Sequence, residues 1–343
     1  MSVPTVNGRI GGQEMGMTLP HEHALLDLRC TLTKPNDPSL DWIVDAKMSS
    51  TIFGDVLHHG LSSKDNLMLD DKELAIRELM LYKKKLGGRT VVDLTSRGLA
   101  PKPLVLREIS RKTGLNIILG CGYYIAASHP ADMSSRTVEE LSEEMVGDLT
   151  SGIDDTGVRS GIIGEIGTSH PIADNEKKVL MAAAKAHAST GAAINVHTSH
   201  KGEHALQAIK ILESEGVDPA NVIISHMDAE EKLPFEYQRA VAQTGAYVEH
   251  DCFGEEEYVD EFDYVHPRDL DRVRTIVRLV DEGFIDNVPN SQDVCSKIYL
   301  REYGGYGYDH ILKTIVPMFK RRGMTDDEVR HIMVENPRRA IAR

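Results

Sequence analysis

The chain has 343 residues, and its 39 Lys and Arg against 53 Asp and Glu give a formal charge of −14, with 15 histidines left out of the sum. The acidic excess runs along the whole chain without a compensating basic block, which excludes nucleic acid, a partner that demands a cationic stripe. Hydrophobic residues make up 41% and charged residues 27%, so the chain buries a large core and is neither disordered nor fibrous.

The N-terminal segment lacks a basic stretch followed by an apolar one, and no apolar run approaches the roughly 18 residues of a membrane span. Cys30, Cys121, Cys252 and Cys295 stand far apart with no CxxC pair, so neither a zinc ribbon nor a dense disulfide framework is expected, and a reducing compartment fits. The expectation is a soluble, cytoplasmic protein with no membrane partner. Residues 16–20, just ahead of His21, read as a first strand. Residues 31–66, rich in Pro, Asp, Ser and His, read as a long loop over that strand's end, placed like a lid.

A helix opens on the acidic residues after Leu69 and stops at Gly87 and Gly88. From there, short apolar runs alternate with helical patterns. Residues 89–94, 115–120, 161–166, 192–197, 221–226 and 245–250 each have buried-strand character, and 284–291 supplies one more run before Gln292 and Asp293. Thr325 and Glu328 form a capping box that opens a late helix. Eight strands alternating with helices predict an α/β fold closed into a (β/α)8 TIM barrel, with residues 1–343 as a single domain. An open doubly wound sheet is disfavoured, because no G-x-G-x-x-G or Walker-type glycine loop occurs.

The chemistry lies at the C-terminal ends of these runs, which converge on one face of a barrel. His21 and His23 follow the first strand, Glu165 lies in the fourth, His197 and His226 end the fifth and sixth, and Asp293 follows the eighth. Four imidazoles and two carboxylates suit borderline divalent metals, zinc first among them. On an extended segment residues i and i+2 share a side, so His21 and His23 can reach one ion while Glu22 faces away. A lone strand-end histidine is more often a satisfied core residue; recurrence at consecutive strand ends favours the metal reading.

Weaker candidates surround this set. Tyr124, Arg97 and His250 are barrel-face positions for substrate contact, and Tyr123 is placed equally well for core packing. His200 and His204, spaced i and i+4, read as exposed loop residues, and 304–307 reads as loop geometry, not a phosphate cradle. His58 and His59 have no nameable partner.

The pattern Leu19-Pro-His-Glu-His23, an acid on strand four, histidines on strands five and six and Asp on strand eight resembles the phosphotriesterase branch of the amidohydrolase superfamily. The segments 304–310 and 335–337 are also typical of phosphotriesterase-related proteins. The resemblance implies a two-metal centre: His21, His23 and Asp293 on the more buried ion, His197 and His226 on the exposed one, Glu165 bridging. Phosphotriesterases carry a carbamylated lysine at the bridging position. Glutamate there resembles the phosphotriesterase homology proteins instead, which puts inherited phosphotriesterase activity in doubt. The ligand set implies a hydroxide shared by two divalent ions, with Asp293 taking its proton. Counting +4 for the ions against −3 for Glu165, Asp293 and hydroxide leaves the mouth electropositive. The expected substrate is a small lactone or carboxylic ester. The alternatives are a phosphoester or phosphotriester, or a relative that binds a small ligand without turnover. A homodimer is a further expectation of the resemblance.

Overall fold

Seven of the eight expected strands form as short parallel ladders in a computed structural model, which describes residues 1–199, 204–229 and 233–342. They are β1 (Thr18–Glu22), β2 (Thr90–Asp93), β3 (Asn116–Leu119), β4 (Ile163–Gly167), β5 (Ile194–His197), β6 (Val222–Ile224) and β7 (Tyr247–Val248). β1, β2 and β3 pair in order, as do β4 to β7. A bridge between Cys121 and Gly164 joins the two sets.

The eighth position differs from expectation. Residues 284–291 do not make a strand: Ile285–Asn287 is a 3₁₀ turn, and Asn290 alone bridges His250. Pro289 has no N–H to give a ladder, and this run is rich in turn-forming Asn and Asp. Closure is still complete. The Ser291 N–H donates to the His250 carbonyl at 3.0 Å, and the Asp293 N–H to that of His21 at 3.3 Å, so the segment lies between β7 and β1. The architecture is a (β/α)8 barrel.

Alternate strand residues fill its interior. Val92, Leu94, Ile118, Ile162, Ala193, Ile223 and Tyr247 meet in one buried cluster, and Val3, Met15 and Ala340–Ala342 close the floor. Val3 arrives on an N-terminal hairpin, Ser2–Thr5 paired with Gly8–Gly11, which the sequence patterning does not reveal. The outer helices follow their sequence signals. Lys72–Leu86 starts at Asp71, whose carboxylate accepts from the Leu74 N–H at 2.9 Å, and stops at Gly87 in the left-handed region. Thr325 and Glu328 form the expected capping box.

The segment 31–66 is more ordered than a loop. It holds the short helices Pro38–Asp45, Phe53–His58 and Gly60–Ser62 and an apolar cluster of its own, in which Ile43, Met48 and Val56 pack on Ile298. It leans on a second hairpin, Tyr258–Val259 with Tyr264–Val265: Asn36 Nδ2 donates to the Asp260 carbonyl at 3.0 Å, and Ser62 Oγ to Glu261 at 2.6 Å. Among the described residues no helix is long and apolar enough to cross a membrane.

Candidate metal centre

Above the apolar layer of the barrel lies a polar one. Asn195, Ser225 and Glu249 are fully buried and bonded to one another, with Ser225 Oγ 2.9 Å from Glu249 and 3.1 Å from Asn195. The next residues up are the six expected ligand positions, and the fold brings all six together. His23 Nε2 lies 3.4 Å from Glu165 Oε1 and 3.2 Å from Asp293 Oδ1; His21 Nε2 lies 3.6 Å and 3.7 Å from the same two carboxylates. On the other side His197 Nδ1 is 3.0 Å and His226 Nε2 3.7 Å from Glu165 Oε2. Two ligand groups result, His21/His23/Glu165 and Glu165/His197/His226, with Glu165 common to both.

The ring orientations are set from behind. His226 Nδ1 is hydrogen-bonded to Asp251 Oδ1 at 3.0 Å, and His21 Nδ1 is hydrogen-bonded to Ser225 Oγ at 3.1 Å with Asp251 Oδ2 beside it at 2.9 Å. An N–H on each Nδ1 directs both Nε2 lone pairs into the centre. His23 is fixed in the same sense: Thr95 Oγ1 gives its proton to the Leu25 carbonyl and accepts from His23 Nδ1 at 2.9 Å. His226 and Asp293 both adopt positive φ, 60° and 45°, a costly conformation for such residues that concentrates at functional sites.

These residues fit a metal ion. His21 Nε2 and Asp293 Oδ1 are buried and have no hydrogen-bond partner among the described residues, although such orphans cost about 1–3 kcal/mol each. The centre also calls for positive charge. Burial opposes a cationic His21 or His226, yet Asp293 and Asp251 beside His21, and Asp251 beside His226, draw both imidazoles well above the ordinary histidine value. Burial likewise opposes the Glu165 anion, yet the hydrogen bond with His197 and the imidazoles of His226 and His23 beside it hold it well below the usual carboxylate range. A divalent cation answers both demands.

Two of the weaker candidates sit elsewhere. The guanidinium of Arg97 is bound by Asp148 and, at 2.6 Å, by Glu144 on the helix Val138–Thr150, so it is a structural ion pair and does not line the cavity. His250 points outward to Gln238 Oε1 at 2.9 Å, and burial lowers its pKa to about 4. The period of two explains that error: Tyr247, Glu249 and Asp251 take the inward side of β7 and its continuation, leaving His250 outside. Tyr124 does line the cavity, with its ring edge-on to His197 at 4.7 Å between centroids. Tyr123 is bonded to Glu144 at 2.7 Å and belongs to the Arg97 network. His204 is buried and accepts from the Ser199 N–H at 3.0 Å, contrary to the exposed reading; His200 lies outside the described residues. His58 has a neighbour after all, 3.3 Å from the Tyr258 carbonyl.

Sequence reasoning missed Asp251, Glu249, Glu255 and Glu257, and it assigned Glu22 nothing beyond facing away. Glu22 accepts from Ser291 Oγ at 2.8 Å and from the N–H groups of Gln292 and Val294 at 3.0 Å each. It thereby clamps the turn that carries Asp293. Burial pushes its pKa up to about 8 despite those donors. Truncation in Glu22→Ala strands the buried N–H groups, and equilibrium urea unfolding is expected to show a loss of about 2–5 kcal/mol with a slower metal-dependent reaction. A loss under about 0.5 kcal/mol would mean that the clamp is idle.

The cavity over the centre has a volume of about 470 Å³. Its wall is largely apolar, from Leu28, Val56, Leu61, Ile125 and Ile298, and the segment 31–66 contributes much of it.

Fold and centre together define a barrel hydrolase of the amidohydrolase type, with side chains that could hold a metal at the C-terminal strand ends. The chain belongs to the phosphotriesterase family, whose model matches residues 1–341. It is 35% identical to the N-acetyltaurine hydrolase of Xenopus tropicalis over 98% of this chain and 96% of that one. The crystal structure of a resiniferatoxin-binding protein from Rhodobacter sphaeroides superposes with a TM-score of 0.96 at 34% identity, covering 99% of this chain and 95% of that chain. That of a lactonase from Listeria monocytogenes gives 0.80 at 27% identity, covering 100% and 99%.

Proposed function

We propose that the protein is a two-metal hydrolase that cleaves the acyl bond of a small N-acyl amide, with lactones and simple carboxylic esters as a second substrate class. The observation that carries the reading is the meeting of two ligand groups on Glu165, with the orphaned Asp293 oxygen at the same point beneath a largely apolar cavity. His21, His23 and Asp293 on one side and His197 and His226 on the other, with Glu165 common to both, would hold two divalent ions, zinc foremost, which when bound would supply Lewis acidity and an acidified water.

Asp293 is the base. Its carboxylate takes the proton of the attacking water and releases it to the departing nitrogen or oxygen as the acyl C–N or C–O bond breaks. Tyr124 holds the acyl part beside His197, and the apolar wall excludes solvent from the reacting carbonyl.

Amides take precedence over the ester first expected because the N-acetyltaurine hydrolases resemble this chain at 33–36% identity, against 27% for the lactonase. The ester reading keeps one observation of its own, the apolar wall, which suits an uncharged ring. An anionic phosphate mono- or diester is disfavoured, since no arginine or lysine lines the cavity among the described residues. A purely ligand-binding role is disfavoured because all six ligand positions are filled and converge.

The test is a substrate panel with zinc-loaded protein: N-acetyl amines, γ- and δ-lactones, aryl acetates and a phosphotriester. Turnover is expected for the acyl compounds, amides foremost. Cleavage of the phosphotriester alone would overturn the reading.

A further inference from the structure

The sequence-level charge count left the mouth of the site electropositive, but the fold adds acid to the cavity wall. Glu255 and Glu257, between the end of β7 and the hairpin 258–265, both line the cavity. Glu255 is 3% exposed, and it lies with Asp293 and Cys295 so that their ligand atoms fall within 4.8 Å of one another. Glu257 is held by the Tyr299 hydroxyl, which donates to it at 2.5 Å.

Glu255 has no such donor. Among the described residues its carboxylate makes no hydrogen bond: the nearest, His266 Nε2, stands 3.5 Å away and is bonded to the Tyr264 hydroxyl at 2.7 Å. Arg272 sits behind it and reaches only its backbone carbonyl, at 2.6 Å, while pairing with Asp228 at 3.0 Å and Asp269 at 3.4 Å. A buried carboxylate without a donor, in the wall of a substrate cavity, lacks a partner that a substrate can bring.

We propose that Glu255, backed by Glu257, is the subsite for a positively charged group on the non-acyl part of the substrate, so that the chain prefers N-acyl amines bearing a second, cationic nitrogen and rejects those with an anionic end. The proposal rests on the acyl-hydrolase reading and narrows it. An ammonium supplies three donors to the two carboxylates; a sulfonate or carboxylate there would meet like charge. The preference is the opposite of the anionic taurine end in the name of the Xenopus relative.

Three compounds share an acetyl group and a two-carbon spacer and differ in the terminal group, cationic, neutral or anionic: N-acetylethylenediamine, N-acetylethanolamine and N-acetyltaurine. With zinc-loaded protein, kcat/KM is expected to fall in that order, with about ten- to a hundred-fold between the first and the last. Glu255→Gln is expected to narrow that span mainly through KM, with metal content unchanged. If lactones are cleaved and none of the three amides is, the same order is read from their competitive inhibition of lactone hydrolysis. N-acetyltaurine equal to or better than the ammonium compound in the wild-type protein would overturn this proposal and leave the acyl-hydrolase reading standing. Failure to cleave amides and lactones alike would overturn both.

Discussion

Asp293→Asn is expected to lower kcat by about a hundred- to ten-thousand-fold. The side chain keeps its size and one oxygen, so the turn clamped by Glu22 persists and the chain folds. What disappears is, of the two carboxylates at the ligand positions, the one with a buried oxygen that has no hydrogen-bond partner among the described residues. Glu165 is engaged with His197 at 3.0 Å, and Asp251 is spent on the backs of His21 and His226. Asp293 Oδ1, by contrast, is buried without a hydrogen bond among the described residues. Hydrolysis and metal content measured on the same preparation separate a lost base from a lost ligand. A kcat within about twofold of the wild type, with metal retained, would remove Asp293 from the proton-transfer role.

Asp251→Asn is expected to weaken zinc binding about ten- to a hundred-fold, with activity falling in parallel at limiting zinc. Each oxygen of Asp251 faces the Nδ1 of one imidazole, and Oδ1 also accepts from the His226 N–H at 2.9 Å. An amide can offer only one acceptor. Its NH2 group then opposes the N–H of either His21 or His226, and that ring must shift its proton to Nε2, the atom turned toward the metal. Burial works against the Asp251 anion, yet the charges of His226 and His21 hold it well below the usual range. Competition with a chelating dye gives the zinc affinity directly. An unchanged affinity would show that the tautomers of His21 and His226 are fixed by other means, such as Ser225 Oγ, 3.1 Å from His21.

These two residues mark how far the sequence could be read. Asp293, His21, His23, Glu165, His197 and His226 were legible because metal-ligand side chains recur where apolar runs end, and a barrel gathers strand ends on one face. Asp251 carries as much of the geometry but sits one position beyond His250, and the choice between them depended on the inward register of β7. Only Tyr247 and Val248 of that strand make a regular ladder, so the period had too few residues to declare itself. The eighth strand was mistaken for the related reason that one residue, Asn290, does the bridging. Arg97 failed differently. A basic residue after a strand looks like a substrate contact until the acids of a neighbouring helix, Glu144 and Asp148, are brought beside it by packing. Glu255 and Glu257 lay in a stretch of five acids within seven residues, from Glu255 to Glu261, whose ordinary reading is a solvated surface. Folding turned two of them inward.

The central claim is that this centre is a two-metal hydrolytic site built on Glu165. Its most direct test is metal content by mass spectrometry alongside amide and lactone hydrolysis in the same samples, for the wild-type chain and for Glu165→Ala. The account predicts about two divalent ions per wild-type chain, activity that tracks their occupancy, and loss of both in Glu165→Ala. A chain that hydrolyses at full rate without metal, or a Glu165→Ala variant that keeps both ions and its turnover, would contradict it.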